Sequence, residues 1–219
     1  MASEAQPASL AHHFDDYDQQ REAATLGMWL FIAQELMFFG GLFLTYTVYR
    51  WKYPAYFALG SNQLDIPMGL LNTVVLIGSS LTMVLAVRSA QLGRARQIAG
   101  WLAATMTLGT VFLVVKGFEY HHKWVHHLIP GEGFHIHGTT DPAAQTFFVL
   151  YFCMTGLHAL HMIVGLGLLA FLVPKALRGE FSAENHNWVE GVGLYWHFVD
   201  IIWIFLFPLL YLLGRHHSF

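Results

Sequence analysis

Gly27-Met28-Trp29-Leu30-Phe31-Ile32-Ala33-Gln34-Glu35-Leu36-Met37-Phe38-Phe39 is an apolar run interrupted by a single carboxylate. Its counterpart near the other end is Tyr195-Trp196-His197-Phe198-Val199-Asp200-Ile201-Ile202-Trp203. Both lie in stretches long enough to span a bilayer, which needs about 20 apolar residues. An ionisable side chain in such a stretch costs at least a few kcal/mol, so it faces protein and has a purpose. These two stretches decide the fold class and locate the candidate site.

The rest of the chain agrees with a membrane origin. Of 219 residues, 55% are hydrophobic and 11% charged, with a mean hydropathy of +0.46. The formal net charge of -3 carries no basic excess, which argues against a nucleic-acid partner. No basic start precedes an early apolar core; Asp15, Asp16 and Asp18 stand there instead, so no cleaved leader is expected. Cys153 is alone, cannot form an internal disulfide, and is expected to be a small buried apolar residue.

The reading is an all-α integral membrane bundle of five transmembrane helices. A polar N-terminal tail, 1–22, precedes one membrane domain, 23–219. The spans fall at about Ala24–Tyr49, Ile66–Val87, Ile98–Val115, Ala144–Val173 and Val192–Leu213. Pro54, Pro67, Pro130, Pro142 and Pro174 sit near the proposed ends, and Pro208 lies inside the last span as an expected kink. Gly40, Gly41, Gly78, Gly109, Gly165 and Gly167 are read as close-packing positions. Arg21, Arg88, Arg94, Arg96, Lys175 and Arg178 fall on one side, against Arg50, Lys52, Lys116, Lys123 and Arg215 on the other. The three arginines of the short second loop place the N-terminus inside and the C-terminus outside.

Helical spacing then assembles a polar constellation. Glu35 lies roughly 16 Å into the first helix, and Asp200 roughly 12 Å into the last. His197 and Asp200, three apart, share a face, with Glu190 two turns away; His158 and His161 are likewise three apart. Glu35, His158, His161, His197 and Asp200 are expected to meet in the bundle. Such a set serves as a polar interhelical network, as a proton path, or as a metal or haem site; the network is the reading adopted, with no catalytic or metal residue assigned. A second cluster, Glu119, His121, His122, His126, His127, Glu132, His135 and His137, is read as a solvated third loop with incidental affinity for divalent ions. His216 and His217 receive the same reading. Trp51, Tyr53, Tyr56 and Trp124 fit an interfacial belt, whereas Trp29, Trp196 and Trp203 are expected to pack within the membrane. No phosphate loop, nucleophile with its base, CxxCH motif or inverted repeat is present.

These residues resemble subunit III of the haem-copper cytochrome c oxidases. The likeness runs from Gly27-Met28-Trp29-Leu30-Phe31-Ile32 with Glu35 and Phe38-Phe39, through Leu70-Leu71-Asn72-Thr73 with Ser79 and Ser80. It continues over Thr107-Leu108-Gly109, Phe112 and Glu119-Tyr120, then Thr146-Phe147-Phe148 and Thr155-Gly156-Leu157-His158-Ala159-Leu160-His161 with Gly165. It closes with Glu190 and Tyr195-Trp196-His197-Phe198-Val199-Asp200-Ile201-Ile202-Trp203. The resemblance implies a subunit without haem or copper of its own, these being expected in partner subunits. It implies packing against catalytic subunit I, with subunit II and small subunits nearby, in a bacterial inner membrane. It implies bound structural phospholipid and a contribution to proton uptake and turnover. Glu35 matches the family's carbodiimide-reactive carboxylate, and His158, His161, Glu190, His197 and Asp200 match its intramembrane polar positions. Trp29, Asn72, Glu119, Trp196 and Trp203 are assigned to subunit or lipid packing. Full-length members have seven helices, and the likeness begins at the third. Five-helix forms include those of bacterial cytochrome c and quinol oxidases and homologues accompanying nitric oxide reductases; the cytochrome c type is the lead.

Overall fold

The computed structural model describes residues 14–131, 134–136, 141–182 and 186–212. Glu132, His137, Arg215, His216 and His217 lie outside them. The described chain is helical: α1 Tyr17–Lys52, α2 Pro54–Asn62, α3 Ile66–Gln91, α4 Ala95–Val125, α5 Pro142–Leu177 and α6 Asn187–Phe207, followed by a π-helical turn, Pro208–Leu212. Five of these segments are long and apolar enough to cross a membrane, as expected.

The helices begin earlier and end later than the apolar runs. Asp16 caps α1 through its Oδ1, which accepts from the Gln19 N–H at 2.7 Å, while Gln19 Oε1 accepts from the Asp15 N–H at 2.8 Å. This reciprocal cap starts the helix six residues inside the segment expected to be tail. At the other extreme, α4 has 31 residues, about 46 Å at the helical rise, against a hydrocarbon core of about 30 Å. Glu119, His121 and His122, expected in a loop, are therefore helical. Pro174 is internal to α5, which runs on to Leu177. Cys153, expected to be buried, is exposed on the outer face of α5.

α2 was not expected. Pro54 supplies its first turn, and its buried Phe57 and Gly60 lie on the start of α5, while buried Ser61 faces the π turn. A Cβ on Gly60 would come within 2.2 Å of the Phe147 ring, so only glycine admits this approach. Pro208 does end the regular α6, but by a change to π winding rather than a simple kink. Backbone carbonyls at the end of a membrane helix lack helical donors and take them from side chains. The Tyr46 hydroxyl donates to Leu209 O at 3.0 Å, and Ser61 donates to Leu210 O at 2.8 Å.

α6 is the centre of the bundle. It packs on α3 and α5, with α4 lying against both of those, while α1 leans on α5 and α6 from outside. Of the spanning window of α6, 61% is buried, against 6% for α1. Trp196 and Trp203 are wholly buried. The Trp196 ring occupies the space that side chains on Gly109 of α4 and Gly165 of α5 would fill, at 2.6 and 3.0 Å from the missing Cβ positions. Those two glycines act as read; Gly40, Gly41 and Gly167 face open space. Trp29, 57% exposed, points away from the bundle.

Candidate functional site: polar contacts between the helices

The expected meeting of five ionisable groups does not occur; the set divides by helix junction. Glu35 on α1 meets His161 on α5, with Oε2 and Nε2 3.2 Å apart. His161 Nδ1 lies 2.8 Å from Leu157 O, and a carbonyl only accepts, so Nδ1 carries a proton. The contact with Glu35 then holds one further proton, on the carboxyl oxygen or on Nε2. Either placement leaves the pair electrically neutral, which is what lowers the cost of seating a carboxylate in an apolar helix. The ring is framed by Phe39, at 5.3 Å between centroids, and Tyr195 OH donates to the His161 carbonyl at 2.9 Å.

His197 turns to α3, where its Nδ1 is 2.7 Å from Ser80 Oγ. Glu190, at the first turn of α6, accepts from Gln91 Nε2 at 3.0 Å and lies 3.2 Å from His186 Nε2. Its charge there complements the positive end of the helix dipole. Glu190 and His197 both line an open cleft of about 670 Å³ between α3 and α6, with Arg88 and Gln91 at its polar end. Asp200 is buried beside Ser80, the residue that His197 contacts, while His158 stands apart from these pairs. His158 is clasped between Phe112 and Trp203, each 5.3 Å away by ring centroids. Its nitrogens, the Asp200 carboxyl and the Asn72 amide are buried without a hydrogen-bond partner among the described residues. The two central tryptophans tie α6 to α3: Trp196 Nε1 donates to Ser79 Oγ and Trp203 Nε1 to Thr73 Oγ1, each at 3.1 Å.

The largest ionic site among the described residues was missed. Lys116 and Glu119, both on α4 and 3% and 1% exposed, form a pair with Nζ and Oε2 2.9 Å apart. Glu119 Oε1 accepts from Tyr211 OH at 2.6 Å and from Tyr151 OH at 2.9 Å. Lys116 Nζ donates onward to the same two phenol oxygens, at 3.0 and 3.3 Å. It also lies 5.0 Å from the Trp203 ring centroid and 5.4 Å from that of Tyr120. One turn on, Lys123 Nζ donates to Gln63 O at 2.6 Å. Three elements thus converge: α4, α5 and the π turn. The signal was present in the 116, 119, 123 spacing, which puts all three charges on one helix face. It was overlooked because Lys116 and Lys123 had been counted as loop charges.

A smaller contact lies outside the membrane segments. Asp141 caps α5 by accepting from the Ala143 N–H at 2.8 Å, and its other oxygen accepts from the Tyr56 hydroxyl of α2 at 2.6 Å. The Tyr56 bond first, and then the backbone bond, hold the Asp141 carboxyl below the usual aspartate range. The same contact raises the Tyr56 phenol.

Five apolar helices tied by buried polar contacts define a multi-pass membrane protein. The sequence profile of cytochrome c oxidase subunit III matches residues 11–215, and the chain belongs to that family. Among its relatives, the cytochrome bo(3) ubiquinol oxidase subunit 3 of Pseudomonas aeruginosa is 30% identical over 94% of this chain and 92% of its own length. Cytochrome c oxidase subunit 3 of Corynebacterium diphtheriae is 32% identical, covering 85% and 86%. That of Thermostichus vulcanus is 33% identical, covering 94% and 92%.

Proposed function

We propose that this chain is the non-catalytic subunit III of a proton-pumping haem-copper terminal oxidase that reduces O2 to water in a bacterial cytoplasmic membrane. It stabilises catalytic subunit I and supports proton uptake, with subunit II and small subunits in the same complex. The haem and copper belong to the partner subunits. Family membership over most of the chain carries this reading. The arrangement of histidines supports it: His158, His161 and His197 are engaged by three different sets of neighbours. Rings engaged by different neighbours support the reading of polar contacts between helices. The shared proton of Glu35 and His161 is the chain's own contribution to proton handling, at a junction that also holds α1 to the bundle. The outward face of α1, with Trp29, Leu30, Met37 and Leu44 more than half exposed, is where structural phospholipid and the missing helices of longer members would lie.

The proposed orientation remains N-terminus inside, C-terminus outside. With Lys116 and Lys123 buried and hydrogen-bonded, the outer side retains only Arg50, Lys52 and Arg215, against six cations inside. That asymmetry is larger than the bare sequence count. Cytochrome c is the proposed electron donor of the complex. The alternative is a quinol, the donor named for one of the relatives.

The test is a reduced-minus-oxidised spectrum of the tagged chain, solubilised gently and again after its partners are stripped. Haem bands present at first and lost on stripping support an accessory subunit. Haem retained by the isolated chain overturns it. Oxidation of ferrocytochrome c, compared with ubiquinol, by the gently isolated complex identifies the donor.

A further inference from the structure

Asp200 lies in the middle of α6, 3% exposed, and neither of its carboxyl oxygens has a hydrogen-bond partner among the described residues. The ionisable groups of the neighbouring helices are engaged elsewhere: His161 of α5 with Glu35 of α1, and Lys116 of α4 with Glu119. A carboxyl buried in apolar surroundings with no cation beside it is carried as the neutral acid, because isolating the charge there costs far more than holding the proton. Such an acid is inert unless a polar neighbour links it to water.

Ser80 of α3 is such a neighbour. It lies beside Asp200, and its Oγ is 2.7 Å from His197 Nδ1. A hydroxyl both donates and accepts, so it passes one proton on as it takes another. His197 in turn is half-buried and lines the open cleft of about 670 Å³ between α3 and α6. With Nδ1 turned to Ser80, Nε2 is the nitrogen left for the cleft. Arg88, Gln91 and Glu190 line the same cleft at its polar end, where Glu190 stands in the first turn of α6. His197 is two turns further on, roughly 10 Å along the axis, and Asp200 roughly 5 Å beyond that. Polar rim, cleft, imidazole, hydroxyl and acid thus follow one another into the bundle.

We propose that Asp200 is a proton-exchange site, its acid connected to the aqueous phase at the N-terminal end of α6 through Ser80, His197 and the cleft between α3 and α6. Protons are conserved at every hop. Nε2 trades with water in the cleft, Nδ1 with the Ser80 hydroxyl, and the hydroxyl with the Asp200 acid, one proton leaving each group as another arrives. This exchange deepens the proton-uptake role proposed above and rests on that reading; its failure leaves the accessory role in place.

The experiment follows infrared spectra of the complex, purified from membranes, after transfer to D2O. Subtracting the spectrum of Asp200→Asn isolates the carbonyl band of the Asp200 acid, and Asp200→Glu, which moves the band rather than removing it, assigns it a second way. In wild type the band is expected to shift to lower frequency as the acid takes up deuterium. Ser80→Ala and His197→Phe are expected to slow the shift by about 100-fold or more, the lower end of what a positioned proton-transfer group contributes. Ser79→Ala removes the neighbouring hydroxyl, which accepts from Trp196 instead, and is expected to exchange at the wild-type rate. Subunit stoichiometry and haem content matching wild type certify that each variant is assembled, and they test the accessory role separately from exchange. An acid band that is absent from wild type, or present and unshifted, overturns the site. So does exchange at the wild-type rate in Ser80→Ala. A slowing in Ser79→Ala as large as that in Ser80→Ala also overturns it, marking a general effect of packing instead of a path.

Discussion

Removing the charge from Glu119 tests whether the buried cage at the end of α4 is a coupled unit. In Glu119→Gln, Lys116 stays 3% exposed but loses its partner at 2.9 Å. Breaking a buried pair from one side costs about 3–5 kcal/mol because the other charge is left uncompensated. Lys116 keeps the Tyr211 and Tyr151 hydroxyl oxygens as acceptors and the faces of Trp203 and Tyr120, so the lower half of that range applies, about 3–4 kcal/mol. Lys116→Met strands the carboxylate instead. Glu119 then keeps two phenol donors at 2.6 and 2.9 Å, and bonds to a charged acceptor contribute about 1.5–3 kcal/mol each, so the loss is smaller, about 2–3 kcal/mol. The double variant Lys116→Met/Glu119→Gln contains no unpaired charge and is expected to lose only about 1–2 kcal/mol. The coupling is therefore about 3–6 kcal/mol, well above the error of a double-mutant cycle. The assay is thermal unfolding of the detergent-solubilised complex by tryptophan fluorescence, since Trp203 adjoins the cage. On the scale of about 2–4 °C per kcal/mol for a domain of this size, Glu119→Gln lowers Tm by roughly 6–16 °C and the double variant by much less. Single-variant losses that simply add in the double variant would refute the reasoning.

Further outcomes follow from the other contacts. Gly109→Ala forces a methyl to 2.6 Å from the wholly buried Trp196 ring and is expected to cost about 1–3 kcal/mol. Gly167→Ala, which meets nothing within 4 Å, is expected to be neutral or stabilising by up to about 1 kcal/mol; thermal unfolding of the two decides. Glu35→Ala is expected to leave haem content near normal while weakening subunit association and shortening turnover lifetime, measured by co-purification and by O2 uptake over time. Haem lost from an otherwise intact complex would contradict it. The lowered Asp141 carboxyl contributes stability that is fully present above the ordinary aspartate value of about 3.9 and is lost as pH falls below it toward the folded value. The raised Tyr56 phenol contributes stability below the ordinary tyrosine value of about 10, lost as pH rises through its folded value. Tyr56→Phe is expected to reduce both dependences when protection of the α2–α5 junction from protease is followed against pH.

How much of this was legible depends on which signal each element sends. A spanning helix announces itself by a long apolar run, and all five did. Tyr17–Glu22 did not, because charged residues look like tail even where a capped helix continues through them. α2 is nine residues long and sends no periodic signal; its evidence is Pro54 at the start and the fit of Gly60 against Phe147. At the site, Glu35 and His161 were both singled out by the cost of placing them in lipid. Their pairing with each other, across 126 residues, was not derivable, because helical spacing orders contacts along one helix and is silent about the neighbour. The same silence joined His158 to partners it does not meet. Lys116, Lys123, Tyr151 and Tyr211 were missed for a different reason: lysines near the end of an apolar run were assigned to the loop before their common face was considered.

The distribution of polar contacts also explains why α6 holds the centre. Lipid is as apolar as leucine, so helices in a bilayer gain little by hiding apolar surface from it; close packing and interhelical hydrogen bonds must set their arrangement. α6 and its π turn supply such bonds in several directions. Trp196, His197 and Trp203 reach Ser79, Ser80 and Thr73 on α3. Tyr195 reaches the His161 carbonyl on α5, and Tyr211 reaches Glu119 on α4. The carbonyls of Leu209 and Leu210 in the π turn accept from Tyr46 of α1 and Ser61 of α2. Each bond fixes rotation as well as distance, because an indole, phenol or imidazole satisfies its partner from only one side. α1 has fewer such ties: Tyr46 to the π turn and the neutral Glu35–His161 pair inside the membrane. A helix held this way is the one whose attachment a single substitution, such as Glu35→Ala, is expected to weaken most.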